Sequence, residues 1–138
     1  MEKHEIIVKE KMYANDAFSK WLGIEVIEVK PAYCKLSMKV RKEMLNGFGI
    51  AHGGITYSLA DSALAFASNS GNVQSVSIET SISHTKRVSE GDVLIAEAKE
   101  LVSGNKTGIY DITVKNQQNE IVALFKGTVY RTTKKWIE

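Results

Sequence analysis

Alternation of apolar and polar side chains over residues 34–40 gives the clearest strand pattern in the chain. The apolar positions of this stretch are Cys34, Leu36, Met38 and Val40, with lysines and a serine between them. Successive side chains of a strand point to opposite faces, so one face is predicted to be buried and the other exposed to water. A preceding strand is predicted over residues 24–30, where it ends before Pro31.

Residues 53–70 change to the period of a helix. The apolar positions recur three or four residues apart, at Ile55, Leu59, Ala63 and Phe66, and Ala60, Ala63 and Ala67 form a second stripe of small residues. A helix that is apolar over most of its surface is predicted to be buried. A shorter helix is predicted upstream, where Phe18, Trp21 and Leu22 share a face before Gly23.

The remainder of the chain returns to a period of two and predicts four more strands. Short polar turns separate these strands, at Ser89–Asp92, Ser103–Lys106 and Asn116–Asn119. Strands joined by such turns pair antiparallel. Residues 1–138 are therefore predicted to form a single α+β domain: an antiparallel sheet of five to six strands against one long helix, with a short N-terminal helix.

Composition removes several classes of function. The net charge is +2 with 25% charged residues, which does not favour nucleic-acid or membrane-surface binding. No stretch approaches the roughly 18–20 apolar residues that span a bilayer, and the charged start lacks the apolar run of a signal peptide, so a soluble cytoplasmic protein is expected. Three scattered histidines and the single Cys34 predict neither a metal site nor an intramolecular disulfide.

Asp61 is the exception in the long helix, since it lies between Leu59-Ala60 and a run of small and apolar residues. A buried, ionised carboxylate is costly unless it is paired. Either Asp61 lies on a solvated stripe with Tyr57 and Ser68, or it is held in a cleft or subunit boundary for chemistry.

The start of the same helix offers a complementary group. Gly53 and Gly54 follow His52, and the first N–H groups of a helix have no intrahelical acceptor. Without side chains at these two positions, a substrate oxygen can approach the positive end of the helix dipole. The glycines suit an oxyanion that develops when a carbonyl is attacked, although they also permit a simple tight turn.

Taken together, these residues resemble a known family. The stretch Asn46-Gly47-Phe48-Gly49-Ile50-Ala51-His52-Gly53-Gly54, continued by Leu59-Ala60-Asp61, is similar to the signature of hotdog-fold thioesterases of the phenylacetic-acid-degradation (PaaI) type. The order of elements matches over nearly the whole chain. The resemblance implies the hotdog fold, hydrolysis of an acyl-CoA to free acid and coenzyme A, and no cofactor, since coenzyme A is part of the substrate.

Residue by residue, the resemblance implies a catalytic carboxylate at Asp61, as nucleophile or as general base on water, and a carbonyl-polarising N–H at Gly53. It implies that His52 and Asn46 hold the thioester and orient water, with help from Ser77. It also suggests the groups that contact the substrate and its coenzyme A part, which are Gly54, Lys86, Arg87, Asn105 and Lys106. The site would lie between the subunits of a homodimer, or of a dimer of dimers.

Plainer readings remain for several of these residues. Asn46-Gly47 is itself a turn signal, His52 can simply cap the helix, and Ser77 fits an ordinary strand position. Lys86, Arg87 and Lys106 individually fit solvated surface charges. His84 continues the alternation of its strand and is assigned a structural role, and residues 84–88 depart from the aromatic and proline residues that relatives often carry.

Three competing classes stay open from sequence. A hotdog dehydratase or hydratase would pair a catalytic histidine with an acid in another motif, and no such pair is visible. A non-catalytic acyl-CoA-binding hotdog protein would bind the thioester without releasing thiol. A purely structural oligomeric module leaves Asp61 unexplained. The acyl group also remains open, with aryl, short-chain and medium-chain substrates all possible.

Overall fold

A computed structural model describes residues 1–138. Its longest helix, α3, covers Gly53–Asn69. The N-terminal part contains a helical turn, α1 at Lys3–Glu5, continued by a π-helix over Ile6–Met12 and a 3₁₀ turn over Tyr13–Asn15. A short helix, α2, follows at Ala17–Trp21, and a second 3₁₀ turn lies at Lys42–Met44. None of the helices has both the length and the hydrophobicity needed to cross a bilayer.

Six strands form one antiparallel sheet. In chain order they are β1 Glu25–Lys30, β2 Tyr33–Lys39, β3 Val73–His84, β4 Val93–Ser103, β5 Thr107–Lys115 and β6 Ile121–Lys135. Their spatial order is β1-β2-β4-β5-β6-β3, so the strand that follows α3 crosses to the far edge of the sheet. β3 pairs only with β6, and its other edge is unpaired. The predicted α+β sheet with a long helix is confirmed.

α3 lies against the inner face of this sheet. Its buried residues are Ile55, Thr56, Leu59, Ala60, Ala63, Leu64, Phe66, Ala67 and Asn69. The predicted inward face of β2 is confirmed, because Cys34, Leu36 and Met38 are each at most 1% exposed. Gly127 of β6 allows a close approach, since a Cβ there would clash with a methyl carbon of Leu64. The helix segment that carries Asp61 therefore packs directly on the backbone of β6.

The N-terminal part differs from the sequence prediction. Residues 3–15 are helical, and Ile7 and Val8 are fully buried, although the sequence pattern predicted no helix in this part of the chain. The short helix is present, but only Leu22 of its predicted apolar face is buried. Phe18 and Trp21 are 53% and 49% exposed and stack on each other, and the Arg41 guanidinium lies 4.9 Å from the Trp21 ring centroid.

Asn69 fixes the end of α3 relative to the start of β3. Its buried side chain donates to the carbonyl oxygens of Ala65 and Ser75 and accepts from the Ser75 amide and the Trp136 indole N–H. A buried amide that is satisfied in this way specifies one arrangement of its neighbours. The hydrogen bonds of Asn69 therefore fix the position of the β3 residues that lie beside Asp61.

Candidate active site

His52 organises the start of α3. It is the N-cap residue, and its Nδ1 accepts a hydrogen bond from the Gly54 amide at 3.0 Å, while its carbonyl oxygen accepts from the Ile55 amide. The Gly53 amide has no acceptor within the protein. The capping role considered for His52 is therefore present, and the Gly53 N–H is left free at the helix start.

A cavity of about 370 Å³ opens at this helix start and is called the helix-start cavity. Its lining comprises Asn46, Ile50, Ala51, Gly53, Thr56, His84, Thr85, Lys86, Arg87 and Val88. Asn46 shapes the preceding loop, because its Oδ1 accepts from the amides of Phe48 and Ile50. The structure thus brings together four of the residues selected from sequence: Asn46, Gly53, Lys86 and Arg87.

His84 also belongs to this cavity, although its sequence pattern suggested only a structural role. Its ring packs against Gly53, since a Cβ on Gly53 would lie 3.3 Å from His84 Nε2. The side chain is exposed and makes no hydrogen bond within the protein. No local pattern could reveal this contact, because it joins residues 31 positions apart through the packing of β3 beside α3.

Lys86 and Arg87, the two cations of the cavity, differ in whether they have an acidic partner. Lys86 Nζ lies 3.0 Å from a carboxylate oxygen of Glu120. Hydrogen bonds from Asn116 and then Lys86 hold the pKa of Glu120 below its usual range. Arg87 has no acidic partner. Both cations also line a neighbouring polar cleft of about 310 Å³ that contains no hydrophobic residue. The helix-start cavity is thus rich in hydrogen-bond donors and positive charge.

Asp61 lies in a second cavity, of about 290 Å³, called the Asp61 cavity. It is lined by Asp61, Leu64, Ala65, Ser68, Ser75, Val76, Ser77 and Val129. The Asp61 carboxylate is half-buried and has neither an ion-pair partner nor a hydrogen-bond donor within the protein. Burial raises its pKa above the usual aspartate value. Ser77, selected from the resemblance, and Ser68, from the alternative solvated stripe, both line this cavity.

Tyr57 separates the two cavities. It lies one helical turn after Gly53 and one turn before Asp61, and its hydroxyl hydrogen-bonds to Thr80 in the middle of β3. Its ring meets Phe125 edge-on, with centroids 5.2 Å apart. Gly53 and Asp61 are eight residues apart on one helix, which corresponds to about 12 Å along its axis. Within one copy, the free amide and the unpaired carboxylate cannot contact the same atom.

The hairpin residues Asn105 and Lys106 line neither cavity. They are exposed between β4 and β5, where the Arg131 guanidinium binds the carbonyl oxygens of Gly104 and Thr107 at 2.7 Å each. The register aligns Gly108 with Val129 and Val129 with Ser77. The hairpin therefore projects at the end of the sheet that carries the Asp61 cavity.

The six-stranded antiparallel sheet packed around one long helix is the hotdog fold, and comparison with known proteins agrees. The family model of the Thioesterase superfamily matches residues 48–123. A curated relative from Archaeoglobus fulgidus is 49% identical over 124 residues, which cover 90% of this chain and 80% of that protein. The acyl-coenzyme A thioesterase PaaI of Escherichia coli is 42% identical over 120 residues, covering 87% and 86% of the two chains.

Solved structures give the same result. The E. coli PaaI protein superimposes with a TM-score of 0.89 at 40% identity, covering 91% of each chain. The smu.793 protein of Streptococcus mutans, solved with acetyl CoA bound, has a TM-score of 0.78 at 28% identity, covering 81% of this chain and 90% of that one. The chain belongs to the Thioesterase superfamily. It is a thioester hydrolase with the hotdog fold.

Proposed function

We propose that the protein hydrolyses acyl-CoA thioesters to the free acid and coenzyme A, at a site shared by two copies of the chain. The half-buried Asp61 carboxylate, which no protein group pairs, carries this proposal. An unpaired carboxylate in a partly apolar cavity costs stability, so its presence favours a role in chemistry. The names of the E. coli relative and of the S. mutans neighbour support a coenzyme A thioester as the substrate.

Reaction geometry requires a second copy. Attack on a thioester carbonyl needs the attacking group about 3–3.5 Å from the carbon, with a donor at the carbonyl oxygen. Asp61 and the Gly53 amide of one chain are too far apart for this. The unpaired edge of β3 offers a way to join them, because Val76 and Ile78 on this strand are 56% and 59% exposed. An exposed apolar edge strand readily pairs with another strand.

Two-fold symmetry determines which parts of the two β3 strands would lie opposite each other. Antiparallel pairing of β3 with β3 of a second copy reverses the strand, so its early residues face the late residues of the partner copy. A pairing centred near Thr80 sets Ser77 opposite the region just before His84. The Asp61 cavity of one copy then adjoins the helix-start cavity of the other. This supports a homodimer with two equivalent sites, which a dimer of dimers would repeat.

In the composite site, the thioester carbonyl oxygen accepts a hydrogen bond from the Gly53 N–H at the positive end of α3. Asp61 of the other copy attacks the carbonyl carbon as a nucleophile and forms an anhydride that water then hydrolyses, or it removes a proton from water that attacks the carbonyl directly. Ser77 lies beside Asp61 and can hold that water, while His52 fixes the turn and Asn46 borders the carbonyl. The leaving thiolate needs little protonation, because a free thiol has a pKa near 8.5.

The remaining residues fit the coenzyme A part of the substrate. Arg87 and Lys86 provide positive charge at the mouth of the helix-start cavity, which suits the phosphates. Asn105 and Lys106 lie at the end of the sheet near the Asp61 cavity and would reach the composite site from the other copy. Gly54 keeps the turn open at the helix start. The reaction needs no metal or further cofactor, and a cytoplasmic location stays a prediction from sequence.

A thiol-release assay over a panel of aryl-, short-chain and medium-chain acyl-CoAs tests the function. The parent is expected to release coenzyme A, and Asp61→Asn is expected to lose about 10²–10⁴-fold in kcat while remaining folded. Asp111→Asn is the matched control, since this carboxylate lies on β5 across from Lys126, outside both cavities, and should retain parental activity. Binding of acyl-CoA without thiol release, or hydration of an enoyl-CoA instead, would contradict the proposal.

A further inference from the structure

The imidazole of His84 lies against the helix turn whose amide is proposed to polarise the substrate. Its Nε2 and Cε1 are the atoms closest to a Cβ built on Gly53, at 3.3 and 3.5 Å. An alanine at position 53 would therefore press on the ring. The absence of a side chain at Gly53 serves two ends: access of substrate to the amide and space for this imidazole.

The contact places the ring beside the first turn of α3. Gly53 is the first residue of α3, and each Cα–Cβ bond of a helix tilts toward the N-terminus, so an atom close to the Gly53 Cβ position lies beside the first turn of α3. The free first-turn N–H groups point the same way. His84 and Gly53 also line the same helix-start cavity, so the imidazole and the amide are neighbours there.

The imidazole is also chemically available. His84 is exposed and has no hydrogen-bond partner on either ring nitrogen, whereas His52 uses its Nδ1 to accept from the Gly54 amide. The cations next along the chain, Lys86 and Arg87, line the same cavity but extend into the polar cleft beyond it. Of the cavity's nitrogen-bearing side chains, His84 is the one in contact with Gly53.

We propose that His84 is a further catalytic residue of the same reaction, donating its Nε2–H to the thioester carbonyl oxygen beside the Gly53 amide. This inference rests on the proposed function. As the oxygen of Asp61 or of water forms its bond to the carbonyl carbon, the π electron pair moves to the carbonyl oxygen, where both N–H groups hold it. When the carbonyl re-forms, the C–S bond breaks with its electron pair on sulfur, and His84 keeps its proton throughout.

Two substitutions separate this role from packing. His84→Phe keeps a ring against Gly53 but removes the donor, and His84→Gln restores an N–H on a flexible side chain. We expect His84→Phe to lower kcat about tenfold or more with little change in KM, since the donor acts mainly on the developing oxyanion. We expect His84→Gln to recover part of that loss.

The outcomes are distinct from those that test the proposed function. A parent enzyme that releases no thiol from any acyl-CoA would overturn both proposals together. An active parent with His84→Phe at parental kcat, or with only KM raised, would overturn the role of His84 alone. If the phenylalanine variant does not fold, His84→Met makes the same comparison with His84→Gln, because methionine fills comparable space without an N–H.

Discussion

The two cavities of a single chain differ in what they can contribute to a reaction. The helix-start cavity collects donors and positive charge, with the free Gly53 amide, His84 and Arg87. The Asp61 cavity combines one carboxylate with serine hydroxyls and aliphatic walls from Leu64 and Val129. Under the proposed mechanism, the helix-start cavity would stabilise the developing negative charge and the Asp61 cavity would supply the attacking group. Neither cavity alone would then suffice for hydrolysis.

Two features of the chain are costly in an isolated copy. Asp61 is half-buried without a partner, and β3 exposes aliphatic side chains along an unpaired edge. Both features lower the stability or solubility of an isolated chain. Both are accounted for if the edges of two copies pair, because pairing covers the aliphatic side chains and gives the carboxylate a substrate to attack. The following predictions test whether the two cavities depend on each other.

The largest effect is expected from breaking the proposed pairing. Ile78→Lys introduces a positive charge on β3 close to the two-fold axis, where the same charge from the second copy repels it. We expect a monomer by light scattering and a loss of activity of at least about 10²–10³-fold, since the attacking group and the donor are then separated. Leu101→Lys is the control, because Leu101 is 60% exposed on β4, which is separated from the unpaired edge of β3 by β5 and β6. A fully active monomer would refute the shared site.

A second prediction removes one donor from the helix-start cavity. Gly53→Pro deletes the N–H group, and proline suits the first position of a helix. The preceding His52 has φ −61° and ψ 137°, the extended conformation that a following proline favours. We expect a loss of about 10²–10³-fold in kcat with the melting temperature nearly unchanged. Gly53→Ala keeps the amide and places a Cβ against His84, as proline does, so it measures the steric effect of that atom. Equal losses in both variants would exclude the amide as the donor.

A third prediction concerns heterodimers that combine two inactive variant chains. Asp61→Asn and Gly53→Pro chains, co-expressed with different tags and purified through both, form heterodimers with one intact site and one doubly defective site. We expect each heterodimer to show about half of the parental activity, because one of its two sites is intact although both chains are inactive alone. The control pairs the parent with the double variant Asp61→Asn/Gly53→Pro, which leaves every shared site defective. Half activity in the control instead would locate both groups in the same chain.

Local pattern predicted most of the fold and only part of the site. Alternation over β2 and the helical period of α3 follow directly from burial, so these elements were predicted correctly. Helical spacing at Phe18, Trp21 and Leu22 predicted the short helix correctly but not which of its side chains are buried, since a short surface helix also displays aromatic residues. Asp61 was identified because a carboxylate contradicts an apolar helix. His84 was missed because alternation along β3 is the same whether a side chain packs in the core or borders a cavity.

The smallest effects are expected where the substrate's phosphates meet the protein. Arg87 has no acidic partner, whereas Lys86 is held by Glu120. We expect Arg87→Ala to raise KM for acyl-CoA about fivefold, and Glu120→Gln to lower it about twofold by releasing Lys86 and removing a nearby negative charge. Both changes should shrink as salt is raised from about 0.05 M to 0.5 M, because the charges are at the surface. Lys30→Ala, on the opposite edge strand β1, controls for net charge. An unchanged KM in both variants would place the phosphates away from this cavity and leave the hairpin at Asn105 and Lys106 as their contact.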